Sequence, residues 1–358
     1  MPPVIFPASS GPLNAPAPNT YKVKLNTNES PYDLPENLRK EVVRKLGEMQ
    51  FNRYPNPRAV ELREVAADFF GIDSSMIMPG NGSGEWLKML ISDLMEHGSK
   101  LLFLDPDFFI YRRNAGFAAV EKSIVSKGED GFITVEGMIE IIQAEKPDLF
   151  MFSNPCNPTG QGFNKEEVKR IIAACGDAVV IVDEAYNDFY GESIIDYAVT
   201  TENVIVLRTC SKAIGLACAR IGFAIANPRM IDLINHIRSP YSVSQSAQVI
   251  GQVVLRDKEY LRSITARVVE DREITYKKLA ALAEKYPEEM KIKPSVSNFF
   301  FVRFKDSKKI CDALKDQYSI AVRDFPTAPI PHTRITVGTS EENQALVEAL
   351  TEILAEQK

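Results

Sequence analysis

The sequence has 358 residues, enough for two domains of ordinary size, and its 45% hydrophobic and 25% charged residues are typical of a globular protein with a large core. The formal net charge of -6 argues against nucleic acid as a partner, since phosphate backbones require clustered cations. Five cysteines without C-x-x-C spacing and three widely separated histidines argue against a metal site and for reduced thiols in a cytoplasmic protein.

Prolines recur through the first residues, MPPVIFPASSGPLNAPAPNT, which contain neither a basic start nor a continuous apolar run. The stretch therefore has the features of neither a signal peptide nor a membrane span, and it predicts an extended N-terminal arm over 1–30. Two helices are expected after the arm, at about 35–46 and 57–70. The second has Pro57 near its first turn and Gly71 directly after its last turn, the usual asymmetry of helix ends.

Short apolar runs then alternate with helical patterns, beginning with a glycine-rich turn in MIMPGNGSGEWLKMLISDLM that leads into a helix. Continuous apolar strands in such alternation predict a mostly parallel sheet with helices on both faces, and ligands of such sheets bind at the carboxyl ends of the strands. We therefore predict an α/β fold with a large domain over 31–250. Its strands are expected at 101–104, 118–125, 148–153, 178–183 and 203–208, and its helices at about 108–116, 134–145 and 164–175.

The pattern changes near residue 240, where a long helix with charged faces fits about 257–285. The runs SNFFFVRF, YSIAVRDF and TRITVG are typical of strands, with a helix between the first two and a last helix from about 340. These elements predict a smaller α+β domain over 251–358, with the domain boundary somewhere within 240–285.

Two glycine-containing loops follow predicted strands. In GNGSGEW the N–H groups of Ser83 and Gly84 would point outward at a helix N-terminus, a place that binds phosphate, although an ordinary strand–helix turn explains the glycines equally well. In SNPCNPTGQ two Asn-Pro steps and Gly160 form a rigid loop, where Asn157 is placed to hold a polar atom of a ligand; a simple chain reversal is the alternative.

Two further segments carry charges where strands end. In IVDEAYNDF, Asp183 follows a run of apolar residues, so its carboxylate needs a cationic or hydrogen-bonded partner, and a core salt bridge is the alternative to a functional role. In RTCSKAIGLACARIG a single lysine, Lys212, lies among small and apolar residues after an apolar strand. Such a lysine either extends to water or stays partly desolvated, which lowers its pKa and leaves more of the neutral amine that condenses with carbonyl groups.

Together these four segments predict one cofactor, pyridoxal 5′-phosphate. Its aldehyde reacts with a lysine, its protonated ring nitrogen pairs with a carboxylate, and its phosphate binds N–H groups and an arginine, for which Arg220 is available. Each segment alone is a weak signal, whereas their ordered combination is specific.

The order of GNGS, NPCNPTG, VDEAY and SKAIGLACARIGF resembles that of the fold-type I aminotransferases of class I/II. The segments LNTNESPY, NRYPNP, GNGSGE, SNFFFVRF and TRITVGTSEEN are similar in particular to the histidinol-phosphate aminotransferases, from about Leu25 to the C-terminus. This resemblance implies an enzyme of histidine biosynthesis that converts L-histidinol phosphate and 2-oxoglutarate to imidazole acetol phosphate and L-glutamate. It also implies a cytoplasmic homodimer whose partners are a small amino donor and a 2-oxoacid acceptor.

The resemblance also assigns roles to single residues. Lys212 would bond to the cofactor aldehyde and act as general base, Asp183 would pair with the ring nitrogen, and Phe108 would stack on the ring. Tyr54 would reach the phosphate in the neighbouring subunit's site. The remaining residues would hold the ring oxygen (Asn157, Tyr186), the cofactor phosphate (Ser83, Gly84, Ser211, Arg220) and the anionic end of the substrate (Arg323, Arg334).

Some positions depart from the usual family pattern: Gly84 stands where an acid is usual and Phe108 where a tyrosine is usual. The arm offers Phe6 in place of a tyrosine, and the loop DFPTAPIPHT before Arg334 differs from the usual glycine-containing form. The arm and this loop bear on substrate choice, so two other activities on the same scaffold stay open, an aromatic amino acid aminotransferase and a threonine-phosphate decarboxylase. From another class, a non-catalytic regulator that binds pyridoxal phosphate would need a nucleic-acid-binding module, for which the arm is short and insufficiently basic.

Overall fold

The computed structural model describes residues 21–326, 328 and 330–356. The expectations for the start of the N-terminal arm, including Phe6, concern residues outside these ranges. In the described part the strands are β1 (Val23–Leu25), β2 (Ile77–Gly80), β3 (Lys100–Asp105), β4 (Glu121–Ser126), β5 (Leu149–Ser153), β6 (Val179–Asp183), β7 (Val204–Thr209), β8 (Gly222–Ile225), β9 (Met290–Ile292), β10 (Phe299–Phe304), β11 (Ile320–Phe325) and β12 (His332–Thr336). The α-helices are α1 (Glu36–Gly47), α2 (Val60–Phe70), α3 (Ser83–Ser92), α4 (Phe109–Ala115), α5 (Val135–Glu145), α6 (Lys165–Ala174), α7 (Ile195–Ala198), α8 (Pro228–Ile237), α9 (Gln245–Leu255), α10 (Lys258–Lys285), α11 (Ser307–Tyr318) and α12 (Ser340–Ala355).

The helix ends follow local signals in the sequence. At the start of α6 the Asn164 side chain accepts a hydrogen bond from the N–H of Glu167, and the Glu167 side chain accepts one in return. At the end of α2, Gly71 adopts a φ of +71°, which costs glycine little because it has no Cβ. These two helices and α10 confirm the helices predicted at 164–175, 57–70 and 257–285 to within a few residues.

The large sheet has the strand order β2-β8-β7-β6-β5-β3-β4. All neighbouring pairs from β7 to β4 are parallel, whereas β8 runs antiparallel to both β2 and β7. The prediction of a mostly parallel sheet is therefore confirmed. The sequence pattern did not predict β8, because this strand is short and overlaps the end of the motif that contains Lys212.

Alternate residues along the central strands pack into two separate cores. Phe150 and Phe152 of β5 belong to a core that includes α2, α5, α6 and α9. Leu149 and Met151 of the same strand belong to a second core that includes α3, α4 and α8. Because successive side chains of a strand point to opposite faces, helices cover both faces of the sheet, as expected for parallel strands.

The small sheet has the order β1-β11-β12-β10-β9, in which β1 pairs with β11 in parallel and the other pairs are antiparallel. Its core is formed with α10, α11 and α12. The pattern of the sequence did not indicate that Val23–Leu25 would join this sheet. The chain after β1 thereby passes from the small sheet towards the carboxyl ends of β5, β6 and β7.

In the described ranges no helix combines the length and the apolar character that crossing a bilayer requires.

Candidate functional site

One cavity of about 790 Å³ lies between the two sheets, at the carboxyl ends of β5, β6 and β7. Thr27, which follows β1, and Arg334 of β12 contribute to its wall from the side of the small sheet. Ten of the twelve site residues predicted from the sequence line this cavity: Ser83, Gly84, Phe108, Asn157, Asp183, Tyr186, Ser211, Lys212, Arg220 and Arg334. The edge of the sheet therefore brings together side chains that lie up to 251 positions apart, from Ser83 to Arg334.

Lys212 lies half-buried in the loop between β7 and β8. Its Nζ donates to the carbonyl oxygen of Thr27 at 3.0 Å and lies 5.7 Å from the ring centroid of Tyr186. Desolvation, and after it the charge of Arg334, lowers the pKa of Lys212 to about 7, while Glu29 acts in the opposite direction. A large share of this amine is therefore neutral near pH 7, and the neutral amine is the form that adds to carbonyl groups.

Asp183, the last residue of β6, is buried with only 2% of its surface exposed. Its Oδ2 accepts a hydrogen bond from the Tyr111 hydroxyl and its Oδ1 accepts one from the N–H of Ala185, both at 3.1 Å. Burial raises the pKa of Asp183 to about 7, and no cation of the described residues offsets this effect. A buried carboxylate with two neutral donors can still accept a charged N–H group from a ligand.

The turn between β2 and α3 is shaped to hold an anion. A Cβ on Gly82 would lie 2.7 Å from Nη2 of Arg220, and one on Gly222 would lie 2.4 Å from the backbone nitrogen of Ser83. The two glycines thus allow the guanidinium and β8 to approach the first turn of α3. Arg220 also donates to the hydroxyl of Ser211 at 3.0 Å. Free N–H groups at a helix start, a hydroxyl and a guanidinium are the donors that phosphate requires.

A polar network surrounds the hydroxyl of Tyr186. The Oη atom accepts hydrogen bonds from Nδ2 of Asn28 at 3.1 Å and from Nδ2 of Asn157 at 3.3 Å, and all three side chains are buried. Desolvation raises the pKa of Tyr186, so the phenol keeps its proton at neutral pH. With two hydrogen bonds accepted, this proton remains available for donation to a ligand oxygen.

Arg334 points its guanidinium into the cavity region without a carboxylate partner among the described residues. Its Nη1 donates to Oδ1 of Asn157 at 2.8 Å and its Nη2 to the carbonyl oxygen of Asn26 at 3.2 Å, whereas the buried Nε has no acceptor. The group lies 5.7 Å from the ring centroids of Phe299 and Phe325. Desolvation lowers the pKa of Arg334 from its usual value. An unpaired buried guanidinium is suited to bind an anionic group of a ligand.

Two predicted site residues do not line the cavity. Tyr54 is 83% exposed and stacks on Tyr241 with a centroid distance of 4.8 Å. Arg323 of β11 pairs across the sheet with Arg334 and lies 5.4 Å from the ring centroid of Phe325, so it stands next to the cavity wall rather than in it. Its charge nevertheless contributes to the lowered pKa of Arg334.

Sequence reasoning missed several residues that the structure places in the site. Tyr111 donates to Asp183, Thr27 accepts from Lys212, and Asn28 donates to Tyr186. Thr27 and Asn28 lie within LNTNESPY, a segment already singled out, and Tyr111 lies three residues after Phe108, but the sequence does not indicate which buried group these side chains reach. The cations Lys88 and Arg113 also line the cavity.

Within the ranges that the structure describes, no group of three or more His, Cys, Asp or Glu side chains is arranged to hold a metal ion. The donor set of the cavity instead suits an organic anion with a phosphate, a ring and a carbonyl group.

Comparison with known proteins agrees with this chemistry. The family described as Aminotransferase class I and II matches residues 20–350. A histidinol-phosphate aminotransferase of Clostridium novyi is 36% identical over 331 residues, which cover 92% of this chain and 91% of that protein. The crystal structure of histidinol-phosphate aminotransferase from Sinorhizobium meliloti in complex with pyridoxal-5′-phosphate superposes with a TM-score of 0.84 at 23% identity, covering 94% of this chain and 92% of that one. The L-threonine-O-3-phosphate decarboxylase of Porphyromonas gingivalis gives a TM-score of 0.78 at 22% identity, with coverage of 93% and 99%.

Proposed function

This chain belongs to the class I and II aminotransferases and, within them, to the histidinol-phosphate aminotransferase family, and on that premise we propose that it binds pyridoxal 5′-phosphate and transfers the amino group of L-histidinol phosphate to 2-oxoglutarate. The observation that carries the proposal is the pair Lys212 and Asp183. These two groups line one cavity, and both have a pKa of about 7, shifted in opposite directions from their usual values. Such shifts indicate charges that lack their partner until a ligand binds.

The residues present fit this cofactor. The start of α3 at Ser83 and Gly84, together with Ser211 and Arg220, would hold the phosphate. The remaining assignments are Asp183 for the ring nitrogen, Phe108 for the ring face, and Asn157 and Tyr186 for the ring oxygen. When bound, pyridoxal 5′-phosphate supplies an aldehyde that accepts amino groups and a ring that takes up electrons from the reacting carbon.

Four polar residues of the wall then have a defined task. Lys212 would supply the amine that bonds to the aldehyde, and once released it would take a proton from the reacting carbon of the amino donor and deliver it to the carbon of the former aldehyde. Asp183, ionised by a cationic N–H partner, keeps that N–H protonated. Asn157 and Tyr186 fix the orientation of the ring, since both are buried and hydrogen-bonded to each other.

The choice of donor rests on Arg334. Its guanidinium has an unsatisfied buried Nε and no ion pair within the described part of the chain, and Arg323 adds a second positive charge on the neighbouring strand. Two adjacent cations suit a doubly charged phosphate better than a single carboxylate, because fork-shaped donors match phosphate oxygens. This observation favours histidinol phosphate over an aromatic amino acid, whereas phosphothreonine keeps the phosphate and is the stronger competitor.

The proposed assembly is a cytoplasmic homodimer in which Tyr54 reaches the phosphate site of the neighbouring subunit. The exposure of Tyr54 on the surface, away from the cavity of its own chain, supports this role. We retain the proposed domains, an arm over 1–30, a large domain over 31–250 and a small domain over 251–358, with β1 as the part of the arm that pairs with the small sheet.

Two measurements on the purified protein test the proposal. Borohydride reduction of the cofactor-loaded protein should attach the cofactor to the peptide that contains Lys212, and label on another lysine would contradict the assignment. The second measurement compares kcat/KM for histidinol phosphate, phenylalanine, tyrosine and phosphothreonine, with release of carbon dioxide followed for the last.

Histidinol phosphate should be the best donor, and Arg334→Ala should reduce its advantage over histidinol about tenfold or more, because a charge-assisted contact is lost. Arg334→Lys keeps the charge without the fork and should lie between the two. A tenfold preference for an aromatic amino acid would exclude the histidine-biosynthesis reaction and leave the aminotransferase assignment intact.

A further inference from the structure

A second pair of opposite charges lies behind the cavity wall, and the function proposed above gives it no task. The side chains of Asp107 and Lys127 are 1% and 3% exposed, with 3.4 Å between Oδ2 and Nζ. Neither residue lines the cavity. Asp107 directly precedes Phe108, and Lys127 directly follows β4. A fully buried ion pair adds little net stability in general, because desolvation offsets the attraction between the charges.

The carboxylate of Asp107 connects two parts of the wall. Its Oδ1 accepts hydrogen bonds from the N–H of Phe108, at 2.7 Å, and from the hydroxyl of Ser153. Its Oδ2 lies 3.3 Å from the N–H of Ser153. The same Ser153 hydroxyl accepts a hydrogen bond from the N–H of Asn157 at 3.1 Å. A single side chain thus sets the position of Phe108 relative to the loop that carries Asn157.

Lys127 contacts both Asp107 and the loop that contains Asn157. Its Nζ lies 3.1 Å from Sγ of Cys156, which is the residue before Asn157, as well as 3.4 Å from Asp107. The lysine therefore contacts both the carboxylate and the loop that the carboxylate holds. It also places a positive charge beside a negative one that would otherwise act alone on the neighbouring site.

We infer that Asp107 and Lys127 are a positioning pair, in which the carboxylate fixes Phe108 and the 153–157 loop at the spacing the cofactor ring needs and the lysine cancels the field of that carboxylate at Asp183. The inference rests on the cofactor assignment proposed above. It assigns no contact with substrate to either residue.

The field of Asp107 does reach the site. Ser153, which Asp107 holds, is the register partner of Asp183 across β5 and β6. The titratable groups that act on the Asp183 carboxylate include Tyr111, Asp107, Glu184 and Tyr186, and the negative charge of Asp107 is among the causes that raise the pKa of Asp183. Glu184 has its own cation in Arg208, so Lys127 is the lysine placed to compensate Asp107.

The test uses the cofactor-loaded protein and the pH midpoint at which its visible absorbance band changes. Lys127→Met removes a positive charge at similar length and should move the midpoint upward. Asp107→Asn removes a negative charge and should move it downward, each by about 0.5 pH unit or more. The double variant Asp107→Asn, Lys127→Met changes no net charge and should return the midpoint to near the wild-type value. Two control variants should leave the midpoint unchanged. Cys156→Ser keeps an acceptor for Lys127, and Lys308→Met removes a lysine from an exposed pair with Asp312.

The kinetic expectation is a fall in kcat of about tenfold or more in both single variants, with KM for the amino donor changed less than about threefold, since ring placement rather than donor binding is disturbed. Lys127→Met leaves a bare buried carboxylate, and if it does not fold, the downward shift in Asp107→Asn and its reversal in the double variant decide the question.

Midpoints that stay fixed in Asp107→Asn, or that move in the same direction in both single variants, would overturn the inference, because loss of packing has no reason to produce opposite signs. A wild-type protein without a cofactor band would instead overturn the proposed function, so the two failures are distinguishable.

Discussion

Two acids follow one another at the end of β6, Asp183 and Glu184, and their surroundings are opposite in kind. Glu184 accepts hydrogen bonds from Arg208 at 3.0 Å, from the Ser193 hydroxyl at 2.6 Å and from the N–H of Ile194 at 2.8 Å. Asp183 has two neutral donors and no cation within the described ranges. One buried charge has its partners inside the protein, and the other has a partner missing.

The cations Arg208 and Lys212 differ in the same way, since one has its charge partners within the protein and the other does not. Arg208, the fifth residue of β7, is bound by Glu184 and Asp188 and lies 5.2 Å from the ring centroid of Phe70. Lys212, four residues later, meets a carbonyl oxygen and two repelling guanidinium groups. Ion pairs completed within the chain therefore hold the fold behind the sheet edge, whereas charges left incomplete at the edge identify the site for a ligand. Substitutions on the two sides should separate stability from activity.

The largest effect is expected for Lys212→Ala on activity. On the proposed assignment, loss of the amine that would bond to the cofactor and move the proton should reduce kcat by about 10⁴-fold or more. Stability of the cofactor-free protein should not fall, because the lowered pKa of Lys212 shows that its charge is unfavourable in the folded state. Single-turnover kinetics and chemical denaturation measure the two quantities. A variant with clearly reduced stability would show that Lys212 belongs to the structural set of charges.

Arg208→Met should show the converse behaviour. It leaves the buried Glu184 and the half-buried Asp188 without their cation, and breaking a buried pair such as Glu184–Arg208 costs about 3–5 kcal/mol of unfolding free energy. The fraction that remains folded should keep most of its activity, since Arg208 does not line the cavity. Urea denaturation and activity per folded molecule provide the test. Lys308→Met, in an exposed helical pair, is the matched control and should leave both quantities unchanged.

Asp183→Asn should reduce kcat by about 10²- to 10³-fold, the usual effect of removing a preorganised charge, while cofactor binding is largely retained. In the cofactor-free protein, the ionisation of Asp183 also makes the free energy of unfolding depend on pH. Because the folded pKa of about 7 is above the unfolded value, the folded state binds more protons between these two pKa values, and wild-type stability falls as pH rises through that window. Asp183→Asn should abolish this decline, and a decline of unchanged size would assign it to another group.

The alternation of apolar strands and helices was sufficient to predict the parallel part of the large sheet, and the glycine and proline signals located most helix ends. The site was predictable where chemistry was carried by a motif next to a strand end, as for Lys212, Asp183 and Asn157. Contacts that join distant segments were not, because periodicity carries no information about which turn meets which strand. Asn28 reaches Tyr186 across 158 positions, and β1 joins the small sheet beside β11, almost 300 positions later.

The smallest effect, and the sharpest test of the contrast between the two acids, is expected for Tyr111→Phe. The substitution keeps the buried ring but removes one of the two donors of Asp183. In the cofactor-free protein the pKa of Asp183 should rise further, since the Tyr111 hydrogen bond is among the causes that lower it, and the window of declining stability should extend to higher pH. With cofactor bound, the cationic N–H partner dominates, so kcat should fall only about three- to tenfold. The matched control is Tyr318→Phe, which keeps a half-buried ring and removes an exposed hydrogen bond from its hydroxyl to Glu352 at 2.7 Å, so it should change neither measurement. If Tyr111→Phe instead reduced kcat as strongly as Asp183→Asn, the tyrosine would be an equal partner of the carboxylate, and the missing partner of Asp183 would not be the ligand alone.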